Sequence, residues 1–342
     1  MKQKKILFIW AASGLWDRLM IIPKLLELRE QWYHITFLYY EPSYFVLFYN
    51  VDEIINIYKK NNLYDEILWI PHNKFRLLGF LFKNFLKFDE AFTPVNTFFS
   101  SLLWKLFAKK YNFAFPHLNV KDNGTYSTII EGMVNHQIDS LFFYKKQLRL
   151  EYSDEYKSSY HIGDKWFVTL FVWLCCRCIV PDELVKVITF INDAWFVVLL
   201  IWGDREKWIN NDIDLAKFDV INLLWKTTFL EVSSLLSDAV LNISMDGWMM
   251  RLGHLVNKKN ISVLNSTSFI IQAPVDNIHS FNLREYTYPQ CSPCGYFCMQ
   301  GKYRQYWIKK CVFHGTDREW ECRFAVRAEH IIYHIKKILH SQ

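Results

Sequence analysis

Two doubly wound α/β domains facing across a cleft are predicted by three features of the chain. Apolar strand-like runs alternate with stretches of helical spacing in both halves. The length of 342 residues exceeds what a single core usually serves. A polar, turn-rich stretch at 149–165, RLEYSDEYKSSYHIGDK, separates the halves. The expected organisation is an amino-terminal domain over 1–155, a carboxy-terminal domain over 156–324, and a last helix over 325–342 that can pack back on the first domain.

The first half opens with strand Lys5–Trp10, a short apolar run fit for a buried parallel strand. Its basic start imitates a signal peptide, but Asp17 and Arg18 interrupt the run and helical spacing follows over Arg18–Gln31. Strand His34–Tyr40, helix Pro42–Tyr49 and strand Glu66–Ile70 come next. Residues 74–88, KFRLLGFLFKNFLKF, repeat apolar positions 75, 78, 82, 85 and 86 at helical spacing, with Lys74, Arg76, Lys83 and Lys87 at the margins. Such a helix either packs on the sheet or makes a peripheral contact with an anionic membrane. Helices near Thr97–Lys110 and Ile129–Ser140 complete this half, with the polar stretch 121–128 between them.

The second half restarts with strand Trp166–Leu174. Its apolar run to Cys176 is 11 residues, well short of the roughly 20 a membrane helix needs. Helix Pro181–Ile191 follows with proline at its first turn, then strand Ala194–Trp202 ending at Gly203-Asp204, and, after a short helix, strand Val220–Asn222. In KTTFLEVSSLLSDA (226–239) Thr227 or Thr228 can cap a helix. Glu231, three residues past Thr228, has the spacing of a capping box. Strand Val240–Ile243, a loop opening on Asp246, helix Met249–Val256, strand Ile261–Leu264 and a last helix Ala325–Leu339 end the series. In two such sheets ligands sit beyond the carboxyl ends of the strands.

Composition narrows the partners. With 51% hydrophobic and 22% charged residues there is ample core material and no disorder signature. A net charge of +6 spread over two domains is too dilute for nucleic acid, and suits anionic nucleotide sugars or anionic lipid head groups. Eight cysteines in a chain this long make no disulfide scaffold, and a cytoplasmic protein with reduced thiols is expected. Cys175, Cys176 and Cys178 read as buried thiols. Cys291, Cys294 and Cys298, with Cys311 and Cys322 following 13 and 24 residues later and His314 nearby, have donors enough for a zinc site, although the spacing is irregular.

Motifs in order carry a resemblance. A strand ending in G-D (203–204), K-T-T-F-L-E-V (226–232), S-D-A (237–239), D-G (246–247) and V-L-N-S-T (263–267) follow one another in the second half. In the first half A-S-G-L-W-D-R-L-M-I-I-P (12–23) presents Ser13, Asp17 and Pro23, and C-S-P-C stands at 291–294. This series resembles glycosyltransferase family 9, the ADP-heptose:lipopolysaccharide heptosyltransferases and their relatives, over nearly the whole chain.

The resemblance implies a GT-B fold, with acceptor on the first domain and nucleotide sugar on the second. It implies metal-independent, cofactor-free inverting transfer to a lipid-linked or oligosaccharide acceptor at the inner face of the cytoplasmic membrane. Asp17 would be the general base, and Ser13 and Gly14 would meet the acceptor. Arg177, Lys226, Thr227, Thr228, Glu231, Asp246, Gly247, Arg251, Asn265 and Thr267 would serve an ADP-heptose or similar donor. Family glycines are replaced by Trp16, Trp225 and Trp248, and the family histidine of the donor loop by Arg251. Those glycines permit positive φ or close approach of a ligand. Either the tryptophans pack against base or sugar in rearranged loops, or the chain is a catalytically impaired member that binds a glycan or a partner.

Overall fold

In the computed structural model of the chain, the described residues are 3–10, 22–39, 51–70, 74–93, 98–113, 155–172, 179–201, 209, 212–245, 248–257, 259–263, 280–282, 316–317 and 326–340. The chain divides into two compact units, Met1–Lys146 and Gln147–Gln342.

The first unit runs β1 (Lys5–Trp10), α1 (Ile22–Glu30), β2 (His34–Tyr39), α2 (Val51–Lys60), β3 (Glu66–Trp69), α3 (Lys74–Asn84), β4 (Phe88–Thr93), α4 (Phe98–Phe107) and β5 (Ala108–Phe113). Its sheet has the order β3-β2-β1-β4-β5, and every described pairing is parallel. Ile6, Leu7, Phe8 and Ile9 are all buried, because a central parallel strand is covered on both faces. Strands β4 and β5 and helix α2 escape the sequence reading, whose expected helices Pro42–Tyr49 and Ile129–Ser140 lie outside the described residues. The reason in β4 is charge. Asp89 accepts from the Lys5 N–H (3.0 Å) and pairs with Lys109 (3.0 Å), and Glu90 pairs with Lys4 (2.6 Å). An interior strand therefore carries two carboxylates that meet donors on or beside its neighbouring strands.

Helix α3 turns the opposite way from the sequence reading's packed alternative. Phe80, Leu81 and Asn84 face the sheet, with Phe80 meeting Phe107 edge-on at 5.8 Å. Phe75 and Phe82, in the apolar stripe counted from sequence, are 86% and 82% exposed. Both faces of the helix are apolar, so periodicity alone could not choose between them.

The second unit runs α5 (Glu155–Ser159), β6 (Phe167–Phe171), α6 (Pro181–Asp193), β7 (Val197–Ile201), β8 (Val220–Leu223), α7 (Phe229–Asp238), β9 (Leu241–Met245), α8 (Trp248–Val256), β10 (Asn260–Val263), β11 (Ser280–Asn282) and α9 (Ala328–His340). The sheet order β11-β10-β9-β6-β7-β8 is again wholly parallel. Counted from β6 it is the doubly wound order 3-2-1-4-5-6. A polar ladder crosses its centre: Thr169, Asn242 and Asn260 stand opposite one another on β6, β9 and β10. The Thr169 hydroxyl donates to Asn242 Oδ1, and Asn242 Nδ2 donates to Asn260 Oδ1 (3.2 Å) and to the Leu236 carbonyl (2.9 Å). Helix α8 lies close over this ladder. A Cβ on Gly253 would stand 2.7 Å from Asn260 Oδ1, so any larger residue would have to displace the Asn260 amide from the ladder.

Helix α9 packs inside its own unit. Ile331, Ile335 and Ile338 join Leu184, Val187 and Ile188 of α6 in one core. Glu183 clamps the helix start, accepting from the Ala328 N–H at 2.6 Å while pairing with Lys186 at 2.8 Å. Burial raises its pKa, yet these donors and Arg327 outweigh burial and hold the carboxyl below its ordinary value.

Four helices end in the same hydrogen-bond pattern. At the end of α6, Phe196 N–H donates to Ile191 and Trp195 N–H to Asn192, which is a Schellman motif. The ends of α1, α2 and α5 repeat it, with Trp32, Asn62 and His161 in the left-handed place glycine usually takes. Trp195 has φ +66° and is 92% exposed, so its side chain gains little from packing while the backbone bears the cost.

Two outcomes follow from this packing. Trp195→Gly should stabilise the protein by about 0.5–1 kcal/mol, the relief of left-handed strain less the added freedom of the unfolded glycine. A calorimetric midpoint unchanged or lowered would refute this. His334 in α9 is held neutral to about pH 4, by burial first and by Lys337 and His330 after it. The unfolded chain takes up a proton near the ordinary value of 6.5 that the folded chain refuses. Stability should therefore fall as pH drops from 6.5 towards 4, and denaturant titrations of His334→Gln should lose that part of the slope. Glu183 adds its own loss only below its ordinary 4.5.

Candidate functional site

Because the sheets are parallel, the segments that follow the strands of one sheet leave from one edge. In the second unit β6 and β9 lie side by side although β7 and β8 come between them in sequence. Strand order reverses between them, which makes their carboxyl ends the place where a doubly wound sheet opens a crevice. Residues 173–178, with Arg177, follow β6, and 246–247, Asp246-Gly247, follow β9. Asn265 and Thr267 follow β10, while Lys226, Thr227, Thr228 and Glu231 follow β8. Every donor residue expected from sequence therefore succeeds a strand of this one sheet. Arg177, Asp246, Gly247, Asn265 and Thr267 themselves lie outside the described residues, as do Asp17, Ser13 and Gly14. Arg251 is in α8, with its side chain outside the described set.

The β8–α7 turn is described in full. Asn222 Oδ1 accepts from the Leu224 N–H at 3.1 Å, and Lys226 N–H donates back to Leu223 at 3.0 Å, closing a tight turn. Trp225, the third residue of this turn, takes the left-handed conformation at φ +67°. This is the position where the motif that the sequence resembles has glycine. The backbone keeps the glycine-like shape while the indole is 54% exposed.

Next the capping box forms in both directions. Glu231 N–H donates to Thr228 Oγ1 (3.3 Å) and Thr228 N–H to Glu231 Oε2 (2.6 Å), so Thr228, of the two threonines considered, is the cap. The box takes up the Thr228 and Glu231 N–H groups and sets the amino end of α7 at the sheet edge, where the helix dipole favours negative charge. Lys226 Nζ adds a cation there, resting on the Asn222 carbonyl at 2.9 Å. Thr227 Oγ1 is buried with no hydrogen-bond partner among the described residues. Together these groups suit an anionic ligand with hydroxyl donors.

Tyr160 is a member of this constellation that sequence reasoning missed. Its phenol donates to the Lys226 carbonyl at 2.7 Å and lies beside the Glu231 carboxylate. Burial first, then Glu231, pushes it up to about 12, so it keeps its proton and stays a donor. The segment expected to be a linker thus holds the turn: α5 docks on the end of α7, with Tyr156 hydroxyl donating to Asp238 and Lys157 pairing with it at 2.9 Å. Only the 66-residue separation of Tyr160 from Lys226, closed by the fold, hides this from the sequence.

On the other side of the switch point, α8 is held where its first turn follows Asp246-Gly247. Gly253 allows the close approach already described, and His254 Nε2 meets Ser262 Oγ at 2.8 Å in the core. His254 is a packing residue, distinct from the loop position taken by Arg251. Among the described residues no group of three or more His, Cys, Asp or Glu is arranged for a metal ion. All eight cysteines and His314 lie outside that set. Among the same residues no helix is long and apolar enough to cross a membrane.

No protein-family model and no curated protein sequence matches the chain. Solved structures do. A glycosyl transferase family 9 protein from Veillonella parvula superposes with a TM-score of 0.64 over 99% of this chain and 98% of that one, at 13% identity. E. coli ADP-heptose lipopolysaccharide heptosyltransferase II follows at 0.58, covering 98% of this chain and 99% of its own, also at 13% identity. The dodecameric iron-containing heptosyltransferase TibC of enterotoxigenic E. coli, solved with ADP-D-beta-D-heptose, reaches 0.56 over 100% of this chain and 78% of that one, at 11% identity. With two parallel, doubly wound sheets and this similarity, the chain is an α/β protein with the fold of the glycosyltransferase family 9 structures.

Proposed function

We infer that the protein is an inverting glycosyltransferase that moves a sugar, heptose in the reading the resemblance favours, from a nucleotide diphosphate to a lipopolysaccharide-core or related surface-glycan acceptor. The observation that carries this is the strand order. The segments bearing Arg177 and Asp246 follow β6 and β9, the two strands between which the second sheet reverses, and the capped, cationic β8–α7 turn leaves from the same edge. A diphosphate fits such an edge, because helix N-termini and cations there oppose its charge.

In the first sheet β1 and β4 flank the corresponding reversal, and Asp17 follows β1. As base, its carboxylate takes the proton of the acceptor hydroxyl while that oxygen bonds to the anomeric carbon. The bond from that carbon to the diphosphate breaks on the opposite face, and the diphosphate leaves with the electron pair, inverting the centre. Arg177, Lys226 and the amino end of α7 spread the charge it gathers, so the transfer is taken to need no metal. Ser13 and Gly14 face the acceptor in this reading, and Thr227, Thr228, Gly247, Arg251, Asn265 and Thr267 the donor. The exposed indole of Trp225 favours the second reading, a member that binds glycan or protein without catalysis.

Thermal unfolding with ADP-sugars, other nucleotide sugars and plain ADP decides between them. A saturating donor at about 100 times its Kd should stabilise the fold by about 2.7 kcal/mol. No shift with any nucleotide would leave only the non-catalytic reading. Asp17→Asn should abolish transfer, measured by release of nucleotide diphosphate, and leave donor affinity within a few-fold. Asp246→Ala should instead weaken donor binding by tenfold or more, about 1.4 kcal/mol. Full activity after exhaustive chelation would support the metal-free step, and its loss would overturn it.

A further inference from the structure

We propose that α3 is a membrane-docking helix, laying its outward apolar face on the surface of an anionic phospholipid bilayer. At about 100° per residue, Phe75, Leu78 and Phe82 fall within about 60° of one another, and Phe85 extends the same stripe. All four are exposed, and Leu86 beside them is exposed as well. The opposite face, with Phe80, Leu81 and Asn84, is already occupied by the sheet and by Phe107. The outward stripe, by contrast, is largely exposed. Exposed large apolar side chains set contiguously mark a contact surface, whereas scattered single ones do not.

Charge selects the occupant. Between Glu66 and Asp89 the chain has no acidic residue, while Lys74, Arg76, Lys83 and Lys87 are cations. Arg76, Lys83 and Lys87 are exposed, with Arg76 and Lys83 on one margin of the stripe. An apolar face with cations at its border matches an interface where acyl chains lie beneath anionic head groups. The helix follows the carboxyl end of β3, so its first turn begins at the sheet edge from which residues 11–21 also depart. Docked there, the bilayer lies near the edge assigned to the acceptor. The inference thus deepens the proposed transfer by making the acceptor membrane-borne. Its test reads binding without donor or nucleotide, so failure of either leaves the other standing.

The full chain should co-sediment with vesicles of about 70% phosphatidylcholine and 30% phosphatidylglycerol, and far less with phosphatidylcholine alone. Binding should weaken when NaCl rises to about 0.5 M, as screening shortens the reach of the cations. Phe75→Ser/Phe82→Ser should lower the partition coefficient about tenfold or more with little change in unfolding midpoint, because both side chains are largely exposed. Arg76→Gln/Lys83→Gln/Lys87→Gln should remove the preference for anionic vesicles, and it carries the test alone if the serine variant does not fold. Absence of binding to anionic vesicles, or equal binding by the wild type and both variants, overturns the proposal. So does a dimer in sedimentation velocity that Phe82→Ser dissolves, since a second copy would then cover the face.

Discussion

The hydrogen bonds of Asn242 hold together the part of the molecule on which the candidate site depends. Asn242 sits on β9 between Thr169 on β6 and Asn260 on β10, and it bonds to both. It also reaches the carbonyl of Leu236 near the end of α7. Asn257, just past α8, donates to that same carbonyl and to Ala239, and its carbonyl accepts from Asn260 Nδ2 at 2.7 Å. Three strands and two helices thereby share one buried polar network. Each such bond contributes only about 1 kcal/mol net, but a slip of register would leave several amides buried and unpaired at about 1–3 kcal/mol each. The network therefore sets which residues stand at the carboxyl ends of β9 and β10, where the next segments begin.

A second constraint concerns backbone conformation. Among the described residues, six other than glycine have positive φ, and three of these are tryptophans, in a chain with 14 tryptophans and 11 glycines. The hydrogen bonds explain why the conformation persists without glycine. In a Schellman ending two N–H groups reach back to carbonyls near the end of the helix, and this geometry requires one left-handed residue whatever its side chain. Trp32 and Trp195 meet that demand at helix ends, and Trp225 meets it in the β8–α7 turn. At that turn a tryptophan holds the left-handed backbone that glycine adopts freely, and an indole projects from it. Nothing in the structure explains why tryptophan is the residue chosen.

The network and the turn are connected by α5 and Tyr160. The described part of the candidate site is therefore built from both ends of α7: Thr228, Glu231 and Tyr160 hold its start, while Asp238 at its end receives Tyr156 and Lys157. A helix tied at both ends keeps its first turn fixed against the sheet edge, which is the preorganisation an anion site needs.

By itself the sequence determined the fold class, most strands and the cap of α7, because local physics decides these. Continuous apolar runs require parallel strands covered on both faces, and Thr228 with Glu231 at three-residue spacing requires only one helical turn to close. Only the tertiary structure decided which face of α3 is buried, since both are apolar. The same holds for β4, whose Asp89 and Glu90 are satisfied by Lys5, Lys109 and Lys4 from elsewhere in the chain. It also gave Tyr160 its place beside Lys226 and Glu231, and Gly253 its partner Asn260. These depend on pairs distant in sequence, and their energies exist only once the sheets have formed.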